Sequence, residues 1–526
     1  MAAGYCYCLG INSNAFFLND YKKAFILGLN VPKVTAYLQA KTPEIEEILN
    51  LLQPLSTSSA EFDNMKVTLI LFMKSLRSDL GVEVEERYVD KVYRDSYYSY
   101  YDTKRLPYNR YCVRLSFFDS EFNKDVDLDD AENIKNNYLG FVVLRPLRYC
   151  IGRNVIDPKA KADTSLQHAK NCRAAIESSC FGIKLNAVGF PHSSQDTETM
   201  TCAQTTIWAL LEYYDNKYNI YRPTTPSEIK RILESFSYER QLPSSGLTYN
   251  QISVALRSLG FGSKVYTKGT NVERFNRLLA CYVESGIPIV LALQGSGIGH
   301  AVVCIGREGI DKSEVRNHQT TSPSGKIYYD WNDTVASKRI VLNDDNLPNY
   351  QLGSLSQPCN YYSQLLGPNS NWEHVEITQF IAPLYNKIYM DAEAAMELST
   401  IVLDTYIQLK DQVKRTFLTS GRTLREHIAK LHSISNNARI ALLQIDLPKF
   451  VWVTELSTID EFENDQVNSL LLIDATGNSM VNVLGNIIFL ISNRYFYTYD
   501  SLNHQMIGNQ VEAIPQNFEA FPGNLK

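Results

Sequence analysis

The sequence predicts an α+β protein with helices and strands segregated along the chain. Three observations carry that expectation. In the middle of the chain, amphipathic helical patterns come first and branched apolar strand patterns follow, so a helical half and an antiparallel sheet half form separately. The same helix-then-strand order returns near the carboxy end. With 44% hydrophobic and 21% charged residues over 526 positions, there is apolar material for more than one core. We expect three parts: an amino-terminal α+β domain over 1–159, a central domain over 160–385 and a carboxy-terminal domain over 386–526.

The amino-terminal part offers a buried helical run at Lys66–Leu76. Tyr88–Tyr111 holds eight tyrosines and reads as an aromatic-rich helix and turn, because Tyr joins an apolar body to a polar tip. A base-stacking surface is the sharper alternative. It needs cationic surface nearby, and the charges here are mixed: Arg87, Asp90, Lys91, Arg94 and Asp95. Tyr111–Phe118 and Gly140–Arg145 alternate or run apolar as strands do, and Pro146 and Pro158 punctuate the exit.

In the central part, Ala160–Ser179 reads as a helix and Phe181–Phe190 as a strand stopped by Pro191. Ala203–Tyr214 is a strong helix, with Ile207, Leu210, Leu211 and Tyr214 on one face. Thr225-Pro226 opens a second, Thr248–Leu259 is a third ending at Gly260, and Val272–Glu284 is a fourth. Ile287–Leu293 and Ala301–Ile305 then read as strands, with shorter candidates at Ile327–Tyr329 and Arg339–Leu342. The last part predicts helices at Asp391–Lys410 and Thr423–Leu431. Strands follow at Phe450–Thr454, Ser469–Ile473, Asn486–Ile491 and Tyr495–Tyr499.

Composition excludes several classes. The formal charge of −6 leaves no basic surplus to neutralise phosphates, so no nucleic-acid partner is expected. No apolar run approaches the ~20 residues that span a bilayer, and the start lacks a basic and apolar leader. A soluble cytoplasmic protein with free thiols is the expectation. Ten cysteines are too dilute for a disulfide scaffold. They form no CxxC and none lies near paired histidines, so neither metal nor cofactor is expected. The run GSGIG leads into a strand, whereas a phosphate loop must open a helix.

The remaining question is which thiol is reactive. Cys202 directly precedes the first strong helix of the central part, where the helix dipole and unpaired N–H groups favour a thiolate. Cys281 and Cys304 sit inside apolar patterns, where inert buried thiols belong. A thiolate catalyst needs a base. His300 follows the glycine turn at the start of a strand, with small residues around it; His192 is the rival. A third group should orient the imidazole. Asp344 is preferred because the apolar strand RIVLN delivers it, and Asp330 in IYYDWND is the alternative. An oxyanion needs donors. The Cys202 amide is one candidate and the side chain of Gln195 another.

The order Gln195, Cys202, His300, Asp344 resembles a bacterial papain-like cysteine peptidase, most closely the branch of the bacteriocin-processing peptidases. QDTETMTCAQTTIWALLEYY is similar to that family's oxyanion Gln followed by a helix-capping Cys. LTYNQISVALRSLGF is similar to its accessory helix, IPIVLALQGSGIGHAVVCIG to its His-bearing strand pair, and RIVLNDDNLPNY to its strand running into Asn-Asp. The likeness covers about 180–350. The stretches YVDKVYRDSYYSYY and YLGFVVLRPL resemble flanks of uncharacterised bacterial proteins that carry such a core.

The resemblance implies a helical half facing a sheet half, with a thiol hydrolase acting on peptide or isopeptide bonds of a protein or peptide substrate. A transamidase, deamidase or acyltransferase would use the same thioester. A papain-like fold kept as a recognition module is the non-enzymatic reading. The flanking parts are then free to bind a protein partner or to cover the cleft. The polar stretch Arg307–Lys326 reads as a flap.

Overall fold

A computed structural model describes residues 42–119, 131–180, 182–218, 220–238, 240–243, 246–367, 370–407, 409–478 and 483–526. The fold is mixed α and β with several antiparallel sheets. The chain divides into two units. The first comprises residues 1–259, 290–308 and 340–381, and the second residues 260–289, 309–339 and 382–526.

The first unit begins with helices α1 (Thr42–Leu52) and α2 (Ser59–Lys74). In α2, Met65, Leu69, Phe72 and Met73 recur at helical spacing and are buried. Four strands then form an antiparallel sheet in chain order: β1 (Gly81–Tyr88), β2 (Cys112–Phe118), β3 (Tyr138–Leu144) and β4 (Ile151–Ile156). Every residue of β2 and β3 is buried; β3 runs apolar from end to end, whereas β2 also buries Arg114 and Ser116. Helix α3 (Lys91–Ser99) starts at Asp90, whose carboxylate accepts the N–H of Val92 and Tyr93.

The expected helix over Ala160–Ser179 is a correction. A single helical turn spans Thr164–Gln167, and Ala174–Cys180 is a strand, β5, paired residue for residue with β6 (Ile183–Gly189). Ala174, Ile176 and Cys180 are buried while Ala175 and Glu177 are exposed. The period is two. Ala and Glu favour helices weakly, and hairpin pairing overrides that preference.

Helices α4 (Cys202–Lys217), α5 (Pro226–Glu234) and α6 (Tyr249–Ser258) follow. A seven-stranded sheet contributes five neighbouring strands here in the order β10, β9, β8, β7, β11, and Lys170–Asn171 pairs with the end of β8. These five are β7 (Ile289–Gly295), β8 (Ile298–Arg307), β9 (Ile340–Asn343), β10 (Gln351–Gly353) and β11 (Glu376–Tyr385). Helix α4 is buried along most of its length and packs on β8, where the Thr206 hydroxyl donates to the Ala301 carbonyl at 3.3 Å.

The second unit is built on an eight-stranded sheet running from Gln319–Thr321 to Gln505–Gln510. Its core joins Phe417, Val451, Val453, Leu472 and Phe489 to helical Leu424 and Ile428. The stretch read as a flap belongs to this unit instead. Val315 is fully buried in a cluster with Trp331, Val335, Val413 and Phe462, and Gln319–Thr321 pairs with Ile327–Asp330. Its polar composition concealed one apolar anchor. Among the described residues no helix is long and apolar enough to cross a membrane.

Candidate active site

The sequence places Cys202 just before the helix; in the structure it is the first residue of α4, and Thr201 is the N-cap. The helix start is held by a capping box, with the Thr201 N–H donating to Gln204 Oε1 at 2.9 Å. The preceding loop is stapled by a residue that sequence reasoning missed. Asp196 accepts the N–H groups of Glu198 (3.0 Å), Thr199 (2.7 Å) and Met200 (2.8 Å). Asp196 thereby fixes the approach of the chain to Cys202. Thr197 takes φ 65 in this turn.

His300 is the third residue of β8, three residues past the hairpin turn at Ser296-Gly297. Gly297 adopts φ 72, which favours glycine. Gly295 is small for another reason than clearing space around His300: a Cβ there would lie 2.8 Å from the Val375 side chain.

His300 and Asp344 meet. The imidazole Nε2 is 2.9 Å from Asp344 Oδ1, with both side chains buried. The Asp344 carboxylate has four donors. Besides His300, the Asn346 N–H reaches Oδ1 at 3.0 Å, and the hydroxyls of Tyr361 and Tyr362 reach Oδ2 at 2.9 and 2.8 Å. Cys202 also hydrogen-bonds His300. Since Nε2 is held by Asp344, Nδ1 is the nitrogen left to exchange a proton with the thiol.

Burial alone would push the His300 imidazole down. The charge and hydrogen bond of Asp344, with Cys202, outweigh it and hold the imidazole well above the usual histidine range. Burial pushes the Asp344 carboxyl up, but His300, the Asn346 N–H and Tyr362 bring it below the usual carboxylate range. The pair is therefore set up as a carboxylate beside an imidazolium.

Tyr361 and Tyr362 open the short helix α7 (Tyr361–Leu366) and were not singled out from sequence. In a chain with 33 tyrosines, two more in NYYS carried no distinct signal. The Trp372 ring meets His300 edge-on at 5.5 Å and stacks on Tyr362 at 4.0 Å. An aromatic wall thus fixes the imidazole plane.

The rival His192 is a support and not a partner of the thiol. Its Nε2 lies 3.0 Å from the Asp344 carbonyl and its Nδ1 3.0 Å from Asn154 Nδ2. Burial pushes it down to about 4, so it is neutral, with Nε2–H donating to the carbonyl. Asn154 on β4 also exchanges backbone hydrogen bonds with His192, and buried Arg145 donates to the Ser194 carbonyl at 2.8 Å. The amino-terminal sheet therefore brackets the loop that leads to Cys202.

Gln195 is buried, its N–H donates to the Asp345 carbonyl at 3.3 Å, and its side-chain amide donates to Asn346 Oδ1. One of the two amide hydrogens is thereby used, and the other remains for a further acceptor. The alternative acid Asp330 lies in the second unit. There it accepts the Asn332 N–H at 2.9 Å as a helix cap and sits 3.6 Å from Lys414 Nζ.

The other described cysteines are Cys112, Cys150, Cys172, Cys180, Cys281, Cys304 and Cys359. All are buried and free, and burial pushes each thiol up, Cys180 to about 11 and Cys150, Cys172 and Cys304 to about 12. Cys6 and Cys8 lie outside the described residues. His300, Asp344 and Asp345 bring three ligand-type atoms within 4.8 Å of one another. A metal there would have to displace the His300–Asp344 hydrogen bond.

Asp345 is the unexpected member of the site. It is buried, neither carboxylate oxygen has a hydrogen-bond partner, and Oδ1 is 3.6 Å from His300 Nε2. Burial, reinforced by the Asp344 charge and opposed by His300, pushes its carboxyl up to about 7. A folded-state value above the unfolded one means stability is lost as pH rises from about 4 to about 7. Asp345→Asn should therefore raise unfolding free energy at pH 8 by about 2–4 kcal/mol and leave it nearly unchanged at pH 4.5. Urea titration at the two pH values checks this. An equal change at both would refute it.

No protein-family profile matches the chain, and no curated protein does. Among solved structures it is distantly similar to the peptidase domain of Streptococcus ComA, a bi-functional ABC transporter involved in a quorum sensing pathway. The identity is 13%, the match covers 36% of this chain and 96% of that one, and the TM-score is 0.20.

Proposed function

We propose that this protein is a cysteine hydrolase of peptide or isopeptide bonds that works through Cys202, His300 and Asp344. One observation carries the reading. A buried imidazole is held between a thiol at a helix start and a carboxylate with a full set of donors. That arrangement suits proton exchange at one nitrogen and charge stabilisation at the other.

In this reading Cys202 Sγ attacks the scissile carbonyl carbon, its proton having passed to His300 Nδ1. The carbonyl oxygen becomes an oxyanion, stabilised by the Cys202 amide at the start of α4 and the second hydrogen of the Gln195 amide. As the tetrahedral centre collapses, the C–N bond breaks and His300 gives its proton to the leaving amine. Water, deprotonated by His300, then attacks the thioester and releases the acid and the thiol. An amine in place of water would give the transferase outcome.

The test is direct. The native protein is treated with an irreversible electrophilic thiol probe and the labelled cysteine is mapped by mass spectrometry. Cys202 should be the labelled residue among the eight described cysteines, and His300→Ala should slow labelling by about 10²–10⁴-fold. Labelling spread evenly over cysteines, or unaffected by His300→Ala, would overturn the assignment.

A further inference from the structure

The tyrosine-dense segment takes no part in the reaction above, yet its geometry is that of a binding site. Strand β1 carries an irregularity between Glu85 and Tyr88, where its register with β2 shifts. Arg87 inside that bulge adopts φ 54, a left-handed conformation that costs a non-glycine residue about 1 kcal/mol or more. Bulges of this kind re-aim side chains.

The Arg87 guanidinium lies 5.0 Å from the centroid of the Tyr111 ring. Arg94 from α3 lies 5.5 Å from the same ring, and Arg110 5.2 Å. Arg110 also donates to the Tyr111 hydroxyl at 3.2 Å. Three guanidiniums therefore share one phenol. Among the described residues none of the three is paired with a carboxylate, and Nε and one terminal nitrogen of Arg94 are buried without hydrogen-bond partners.

Converging cations repel one another, and an anion relieves that repulsion while gaining charge-assisted hydrogen bonds. Arg87, Arg110 and Tyr111, but not Arg94, border a wide-mouthed cavity of about 600 Å³ that is also lined by Tyr97, Pro107 and Tyr108. This volume lies within the range of about 300–1,000 Å³ usual for small-molecule sites. Aromatic and proline faces accept a planar ring by stacking, and the arginines suit phosphate oxygens.

We propose that this cup binds a nucleotide, its base against the tyrosine and proline faces and its phosphates on Arg87 and Arg110, with Arg94 adding charge. A mononucleotide fits better than a polymer. The cationic surface is three arginines wide, and the chain's charge of −6 provides no extended basic track.

The experiment is isothermal titration calorimetry of the full chain with ATP, AMP and inorganic pyrophosphate at one fixed ionic strength. ATP should bind. Arg87→Gln and Arg110→Gln together should weaken it by about tenfold or more. Tyr108→Ala should weaken ATP and AMP by about fivefold or more and leave pyrophosphate unchanged. Both arginines are exposed, so these substitutions leave the core alone. In the unsubstituted protein, ATP should also protect Arg110 from phenylglyoxal, read by mass spectrometry.

No ATP binding up to about 1 mM would overturn the proposal. So would binding that survives the double arginine variant, or pyrophosphate binding as tight as ATP with Tyr108→Ala without effect. None of these outcomes bears on Cys202 or His300, so the peptidase reading stands or falls separately.

Discussion

Cys202→Ala should lower turnover of a peptide substrate by about 10⁵–10⁶-fold while leaving the fold intact. The two halves of that expectation have separate causes. Alanine removes the atom that forms the thioester, and no other described cysteine has a histidine–carboxylate pair beside it. Burial holds the seven others as neutral thiols. Stability should change by less than about 1 kcal/mol, because alanine favours helix and the loss is one small atom. The capping box through Thr201 and Gln204 is untouched. Steady-state kinetics beside a thermal melt separates the two. Turnover retained by a folded Cys202→Ala protein would refute the mechanism.

Asp344→Asn should be the second largest loss, about 10²–10⁴-fold in kcat, and it has a distinguishing signature. The Asn346 N–H donates to Oδ1 and cannot reverse its polarity. It therefore holds an asparagine oxygen on the His300 side, while the Tyr361 and Tyr362 hydroxyls rotate to accept from the amide nitrogen. The imidazole keeps its tautomer but loses its countercharge. With the negative charge gone, the imidazolium deprotonates at lower pH, so the alkaline limb of the pH–rate profile moves down. An alkaline limb that stays in place would show that Asp344 does not set the imidazole's charge. Asp344→Ala is harsher. It leaves two buried hydroxyls, the Asn346 N–H and the His300 Nε2–H without their acceptor, and should destabilise by roughly 3–5 kcal/mol.

The parts of the site legible in the sequence are those with a local signature. Cys202 stands at a helix start, His300 at the head of an apolar strand and Asp344 at the end of another. Val272–Glu284 has the same bounds in pattern and structure because its apolar face and its Asn271 cap are local. The supports were illegible because they come from remote segments. Tyr361, Tyr362 and Trp372 reach His300 and Asp344 only through packing. His192 reads as a possible base until Asn154 and the Asp344 carbonyl occupy both its nitrogens. Asp345 carries no signal of its own beside the preferred Asp344, and only its burial sets it apart. Ala160–Ser179 misled because small and acidic residues blur a two-residue period. Along the chain the base-stacking alternative for Tyr88–Tyr111 reads as weak, because Arg87, Lys91 and Arg94 alternate with Asp90 and Asp95 and Arg110 stands apart. In space the three arginines converge on Tyr111.

The crowded Asp344 carboxylate has a kinetic consequence. With His300, Asn346, Tyr361 and Tyr362 all donating to it, it has no lone pair in reserve and resists taking a proton. Proton motion therefore stops at the imidazole. In mixtures of light and heavy water, a rate limited by acylation should fall in a straight line with deuterium fraction, the mark of one hydron in flight. A curve bowing downward would mean that the carboxylate shares the load.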